Sequence, residues 1–152
     1  PIFVPPNRFG FRLPSEAEWE FAARGGRQSG GSRYAGSNKL DEIGWYGENS
    51  HEQTQSVGLK LYNELGIFDL SGNVQEWCED QWHYTYEGAP TDGSPWIDRD
   101  VGAPRVLRGG CWFENAQDCR PSFHFGKTPA GRSSKFGFRV VLFPPPVSWP
   151  GI

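Results

Sequence analysis

Cysteine is scarce in this 152-residue chain. Cys78, Cys111 and Cys119 allow one disulfide and leave a thiol over, which argues against a disulfide-stapled secreted scaffold and favours an intracellular origin. Long apolar runs are missing as well. No stretch approaches the length that spans a bilayer, and the opening Pro1 to Pro6 lacks the basic start and apolar region of a signal peptide, so the chain as given reads as soluble, with no membrane partner. Nor is there a basic run. The net charge is −3 and Lys and Arg are scattered, which excludes the electrostatic footprint of a nucleic-acid binder. His51, His83 and His124 lie far apart, without metal-ligand spacing.

Large rings are abundant. Only 36% of residues are hydrophobic, yet 15% are aromatic and seven are Trp, so Trp19, Trp45, Trp77 and Trp112 are expected to form an aromatic core. Twenty Gly and thirteen Pro make turns dominant, which excludes a helical bundle, and the ring content excludes disorder. The length suits one domain over residues 1–152.

The first clear element runs from Leu13 to Gly26. Ser15 and Glu18 have capping-box spacing, Ala17, Phe21 and Arg24 share one side, Trp19, Ala22 and Ala23 add apolar surface, and Gly25-Gly26 ends the helix. Residues 27–55 read as a polar loop pinned by Tyr34, Trp45 and Tyr46. Strands are expected at Gly66–Leu70 and Val74–Trp77, on either side of a Ser71-Gly72-Asn73 turn, then at Arg105–Arg108 and Phe136–Leu142. Between the last two lie roughly two dozen residues without periodicity, and an irregular stretch that long in a compact domain is usually functional. Residues 143–152 form a Pro-rich tail whose prolines cannot join a central sheet.

Three ordered patterns carry a resemblance: Arg12-Leu13-Pro14-Ser15-Glu16-Ala17-Glu18-Trp19, Gly66 through Trp77, and Arg105-Val106-Leu107-Arg108-Gly109-Gly110 followed by Gly137-Phe138-Arg139-Val140-Val141. Together they resemble the formylglycine-generating-enzyme (sulfatase-modifying-factor) family. The resemblance implies an α+β, C-type-lectin-like fold, loop-rich with short strands and few helices. Full family domains carry a further N-terminal portion before the Arg-Leu-Pro helix, so the chain is N-terminally short relative to them.

In the family's copper-using oxidases a cysteine pair follows the Gly-Gly segment, and here those two positions read Glu114 and Cys119. A carboxylate is a hard ligand and cannot replace a thiolate for copper(I), so no catalytic residue is assigned. The resemblance leaves an oxidase acting on a peptide cysteine through Cys119 and Cys111, or an accessory structural domain, as alternatives. Family members can hold a structural calcium at the positions of Asn73, Val74 and Glu76; no other cofactor is implied. Asp69, Glu76, Glu79 and Asp80 read as structural carboxylates, without a nucleophile beside them.

Another branch with this fold comprises the variable proteins of diversity-generating retroelements, whose mutagenised codons near the C-terminus diversify a ligand-binding surface. Phe113, Asn115, Asp118, Ser122, Phe123, His124, Phe125, Gly126, Ser133 and Ser134 belong to the residue types that adenine mutagenesis of Asn-type codons reaches. Trp112, Glu114, Gln117, Lys127 and Lys135 do not, and read as fixed scaffold. The leading expectation is a non-enzymatic display protein that binds a protein ligand through residues 113–134.

Overall fold

Ser15 and Glu18 form the capping box that their spacing predicts. In the computed structural model, which describes residues 10–98, 100 and 102–143, the Glu18 amide donates to Ser15 Oγ (3.1 Å) and the Ser15 amide to the Glu18 carboxylate (2.9 Å). Arg12 adds a two-pronged contact, 2.6 Å to each Glu18 oxygen. Helix α1 (Glu16–Ala23) ends where Gly25 adopts a left-handed φ of 85°, which costs a glycine nothing. Its buried side carries Glu16, Trp19 and Ala23, whereas Ala17, Phe21 and Arg24 face solvent.

A second short helix, α2 (Leu40–Ile43), delivers Leu40 and Ile43 to the core beside Trp19, Tyr34, Tyr46, Leu70, Cys78 and Val106. The expected four-tryptophan core is thus reduced to one. Trp19 is buried, but Trp45, Trp77 and Trp112 are half-buried, because each turns a ring face to a surface partner. Trp45 lies beneath the Lys60 ammonium, Trp77 meets Phe136 edge-on, and Trp112 meets Phe113.

The strands form two sheets. β2 (Gln75–Gln81) and β3 (Arg105–Arg108) pair antiparallel, β4 (His124–Lys127) adds antiparallel to β3, and β5 (Phe136–Gly137) adds parallel to β2, in the order β4-β3-β2-β5. A two-stranded ribbon joins β1 (Gly10–Arg12) to β6 (Val141–Phe143). Among the described residues no helix is long and apolar enough to cross a membrane.

Three expectations need correction. The continuous strand over Phe136–Leu142 is two: β5 pairs with the main sheet, β6 with β1, and Phe138–Val140 between them pair with neither. Gly66–Leu70 is no strand, because Gly66 and Asp69 take left-handed φ values of 75° and 57°. The tail starts later than Phe143, which pairs with Gly10; its remaining residues, 144–152, lie outside the described ones.

The change of sheet at Arg139 has a physical cause. Its guanidinium reaches the buried Glu76 carboxylate, with Nε 2.5 Å from Oε2 and Nη2 2.6 Å from Oε1. The Trp19 indole N–H donates to the same Oε2 at 2.6 Å, and Arg139 Nη2 also reaches the carbonyls of Phe68 and Asp69. One carboxylate therefore joins helix, sheet and C-terminal segment.

Removing it leaves an indole N–H and a largely enclosed guanidinium without their acceptor. Glu76→Ala is expected to cost roughly 3 kcal/mol in urea unfolding, whereas Arg24→Ala, which removes an exposed pair with Glu20, should cost less than about 1 kcal/mol.

Candidate functional site

Two glycines follow β3 because neighbours crowd both, the Trp19 ring at Gly109 and residues 118–119 at Gly110. Gly110 takes φ 70°, and a Cβ there would fall 2.7 Å from both Cys119 Sγ and the Asp118 carbonyl. The short 3₁₀ turn Ala116–Cys119 thereby packs onto the Gly-Gly corner. The segment between is pinned at three points: the Trp112 amide donates to the Asn73 carbonyl (2.9 Å), the Gly47 amide to the Glu114 carbonyl (2.9 Å), and Ser50 Oγ to the Trp112 carbonyl (2.7 Å).

Cys111, Glu114 and Cys119 converge beneath this segment. Gln75 Nε2 donates to Glu114 Oε1 at 2.8 Å, while Oε2 is enclosed without a partner. Burial, followed by the charge of Asp118, raises the Glu114 pKa. Burial also pushes the Cys111 thiol up to about 11 and Cys119 further still, with the Glu114 charge adding to the shift at Cys119. Cys78, Cys111 and Cys119 are all free and buried. Copper(I) needs a pair of accessible soft thiolates; these residues are protonated, enclosed thiols beside a hard carboxylate, and the set does not fit that ion.

The calcium positions fare no better. Both Glu76 oxygens are taken by Arg139 and Trp19, so a hard cation would have to displace a guanidinium from a buried carboxylate. Asn73 spends its carboxamide on the Gln55 backbone in both directions, 3.0 and 3.1 Å, and its carbonyl on Trp112; Val74 follows it into the turn before β2. Among the described residues no three His, Cys, Asp or Glu side chains are grouped to hold a metal ion.

The ten candidate display positions divide by direction. Phe113 is 62% exposed, with Lys135 Nζ 3.5 Å from its ring centroid, and Asn115, Ser122, Ser133 and Ser134 are exposed around it in sequence. β4, which sequence periodicity missed, then alternates. Phe125 (43% exposed) and Lys127 point outward, and Phe125 stands opposite Leu107, which stands opposite Trp77, in one row across the sheet.

His124 and Gly126 point the other way. His124 Nδ1 lies 3.0 Å from Glu16 Oε1 and its ring stacks on Tyr86, while a Cβ at Gly126 would come within 2.6 Å of Trp82. Asp118 and Phe123 are half-buried. The exposed set is therefore Phe113, Asn115, Ser122, Phe125, Ser133 and Ser134.

Sequence reasoning missed the buried support beneath β4. Arg108, fully enclosed, donates to Glu16 (3.1 Å), to the Pro121 carbonyl (2.7 Å) and to Glu20, and the Tyr86 hydroxyl donates to Glu16 at 2.9 Å. The available signal was the strand alternation, which puts Arg108 on the same face as core residue Val106. On the outer side, Lys127 and Arg132 have no carboxylate partner among the described residues.

A family model described as the sulfatase-modifying factor enzyme 1-like domain matches residues 6–143. The solved structure of Treponema denticola variable protein 1 superposes with a TM-score of 0.77 at 39% identity, covering 90% of this chain and 49% of that one. The chaperone protein LppX of Paenibacillus barcinonensis is 39% identical over 150 residues, covering 87% of this chain and 49% of its own length. A formylglycine-generating enzyme of Streptomyces coelicolor is 38% identical over 152 residues, covering 87% and 46%. The chain spans about half the length of these three relatives, and its fold is the loop-rich α+β, C-type-lectin-like one.

Enclosed, protonated thiols are poor nucleophiles. At neutral pH, iodoacetamide is expected to leave Cys78, Cys111 and Cys119 unmodified in the folded protein and to alkylate all three in urea, as read by intact mass.

Proposed function

The chain belongs to the sulfatase-modifying factor enzyme 1-like (FGE-sulfatase) family, and on that premise we propose that it is a non-catalytic display module. It presents Phe113, Asn115, Ser122, Phe125, Ser133 and Ser134 to a protein ligand, in the manner of the retroelement variable proteins its sequence resembles. One fold serves relatives named as enzyme, chaperone and variable protein, so the site and not the fold has to choose.

The observation that carries the reading is a pair of opposite placements within one segment. Glu114, at the position of the oxidases' first thiolate, is turned inward onto Gln75, while its neighbour Phe113 is turned out. Exposed aromatics with few rotatable bonds give large contact area at small entropic cost, which suits recognition. Lys127, exposed on the same side of β4 as Phe125, supplies a polar contact that orients a protein ligand.

Two measurements separate display from oxidation. In the source genome, a near-copy of codons 105–142 that differs only where the template carries adenine is expected; a genome with no such repeat and no reverse transcriptase counts against the reading. In an anaerobic competition titration the protein is expected to take up no copper(I). Stoichiometric uptake that disappears in Cys119→Ala would restore the oxidase.

A further inference from the structure

The outer face of the main sheet places two cations side by side. Alternation along β3 turns Val106 and Arg108 to the core side and Arg105 and Leu107 to the other, and along β4 it turns Phe125 and Lys127 to that same other side. Arg105 and Lys127 stand directly opposite each other in the ladder, and neither has a carboxylate partner among the described residues. Like charges placed so repel, and the pair costs the fold stability unless an anion joins it. Arg105 Nη1 donates to the Glu79 carbonyl, which orients the guanidinium without neutralising it. The Lys127 stem lies against the Thr128–Gly131 turn, where a Cβ at Gly131 would fall 3.0 Å from Lys127 Cγ. Both cations are therefore positioned.

Apolar surface adjoins the pair. Phe125, Leu107 and Trp77 form the neighbouring row of the ladder, and beside them opens a cleft of about 390 Å³ lined by Leu13, Trp77, Glu79, Ile97, Arg105 and Pro129. Lys127 is flanked by two of these lining residues, Arg105 across the ladder and Pro129 along the chain. The net charge of the chain is −3, so attraction of an anion comes from this local pair and not from the overall field of the molecule. Ring and aliphatic walls with a cationic edge complement a segment that carries an acidic side chain next to a large apolar one. We propose that this sheet face binds an acidic protein segment, with an aromatic or aliphatic anchor between Trp77 and Ile97 and a carboxylate on Arg105 and Lys127. The proposal rests on the display reading, whose Phe125 shares the face, and adds to it the chemistry of the ligand.

The test pans a random dodecapeptide phage library against the whole 152-residue chain and measures the selected peptides by fluorescence anisotropy. Selected sequences are expected to carry Asp or Glu close to Phe, Trp or Leu, and their affinity should fall at least about tenfold between about 0.05 M and about 0.5 M salt. Lys127→Glu and Ile97→Asp, both at exposed positions, should each weaken binding at least about tenfold, while Lys39→Glu, the same charge change ahead of α2, leaves it unchanged. Near-UV circular dichroism verifies that the variants stay folded. Selection of neutral or basic sequences would overturn the proposal, as would binding that Lys127→Glu leaves intact or an oligothymidylate that binds this face more tightly than the peptides do. The display reading fails on different evidence. A genome without the template repeat, with acidic peptides still bound through Lys127, leaves this site standing, whereas a repeat together with charge-indifferent peptides sinks this inference alone.

Discussion

The buried carboxylate of Glu76 is the constraint on which the remaining structure depends. It lies on β2, receives the Trp19 indole from α1, and holds Arg139 from the segment that leaves the main sheet. An ionised group so placed must keep its partners, because an uncompensated buried charge costs several kcal/mol. The residues just before it complete the arrangement. Gly72 donates to the Gly109 carbonyl, Asn73 exchanges contacts with Trp45 and Trp112, and Gln75 holds Glu114. Residues 72–76 thus fix the core on one side and the base of the 109–138 segment on the other.

This explains how a long irregular segment is ordered without regular structure of its own. Its inward groups, the Trp112 amide, the Glu114 carboxylate, the Cys119 thiol and the Arg108 guanidinium beneath it, all face the scaffold. Its outward groups, Phe113, Asn115, Ser122, Ser133 and Ser134, are exposed. The position that would hold a soft metal ligand in the oxidases is here one of the inward anchors.

Much of this was legible in the sequence, and the failures share a cause. The capping box, the Gly25-Gly26 helix end and β3 rest on local rules and appear as expected. Phe136–Leu142 reads as one strand because β propensity does not register a side chain such as Arg139 being drawn to a distant carboxylate. The alternation of β4 is hidden in a segment without sequence periodicity, so composition groups His124 and Gly126 with Phe125 although pleating turns them to the opposite face. Ring size alone points Trp45, Trp77 and Trp112 to the core, whereas cations and neighbouring rings hold them at its margin.

Residues 72–76 and their partners hold the fold together independently of what the outer surface carries. This is tested most directly by replacing Phe113, Asn115, Ser122, Phe125, Ser133 and Ser134 together with alanine and following urea unfolding. The account predicts one cooperative transition and, at about 0.5 kcal/mol or less for each surface site, a summed loss below about 3 kcal/mol. A broad, non-cooperative transition or loss of the folded near-UV spectrum in the absence of urea would contradict it.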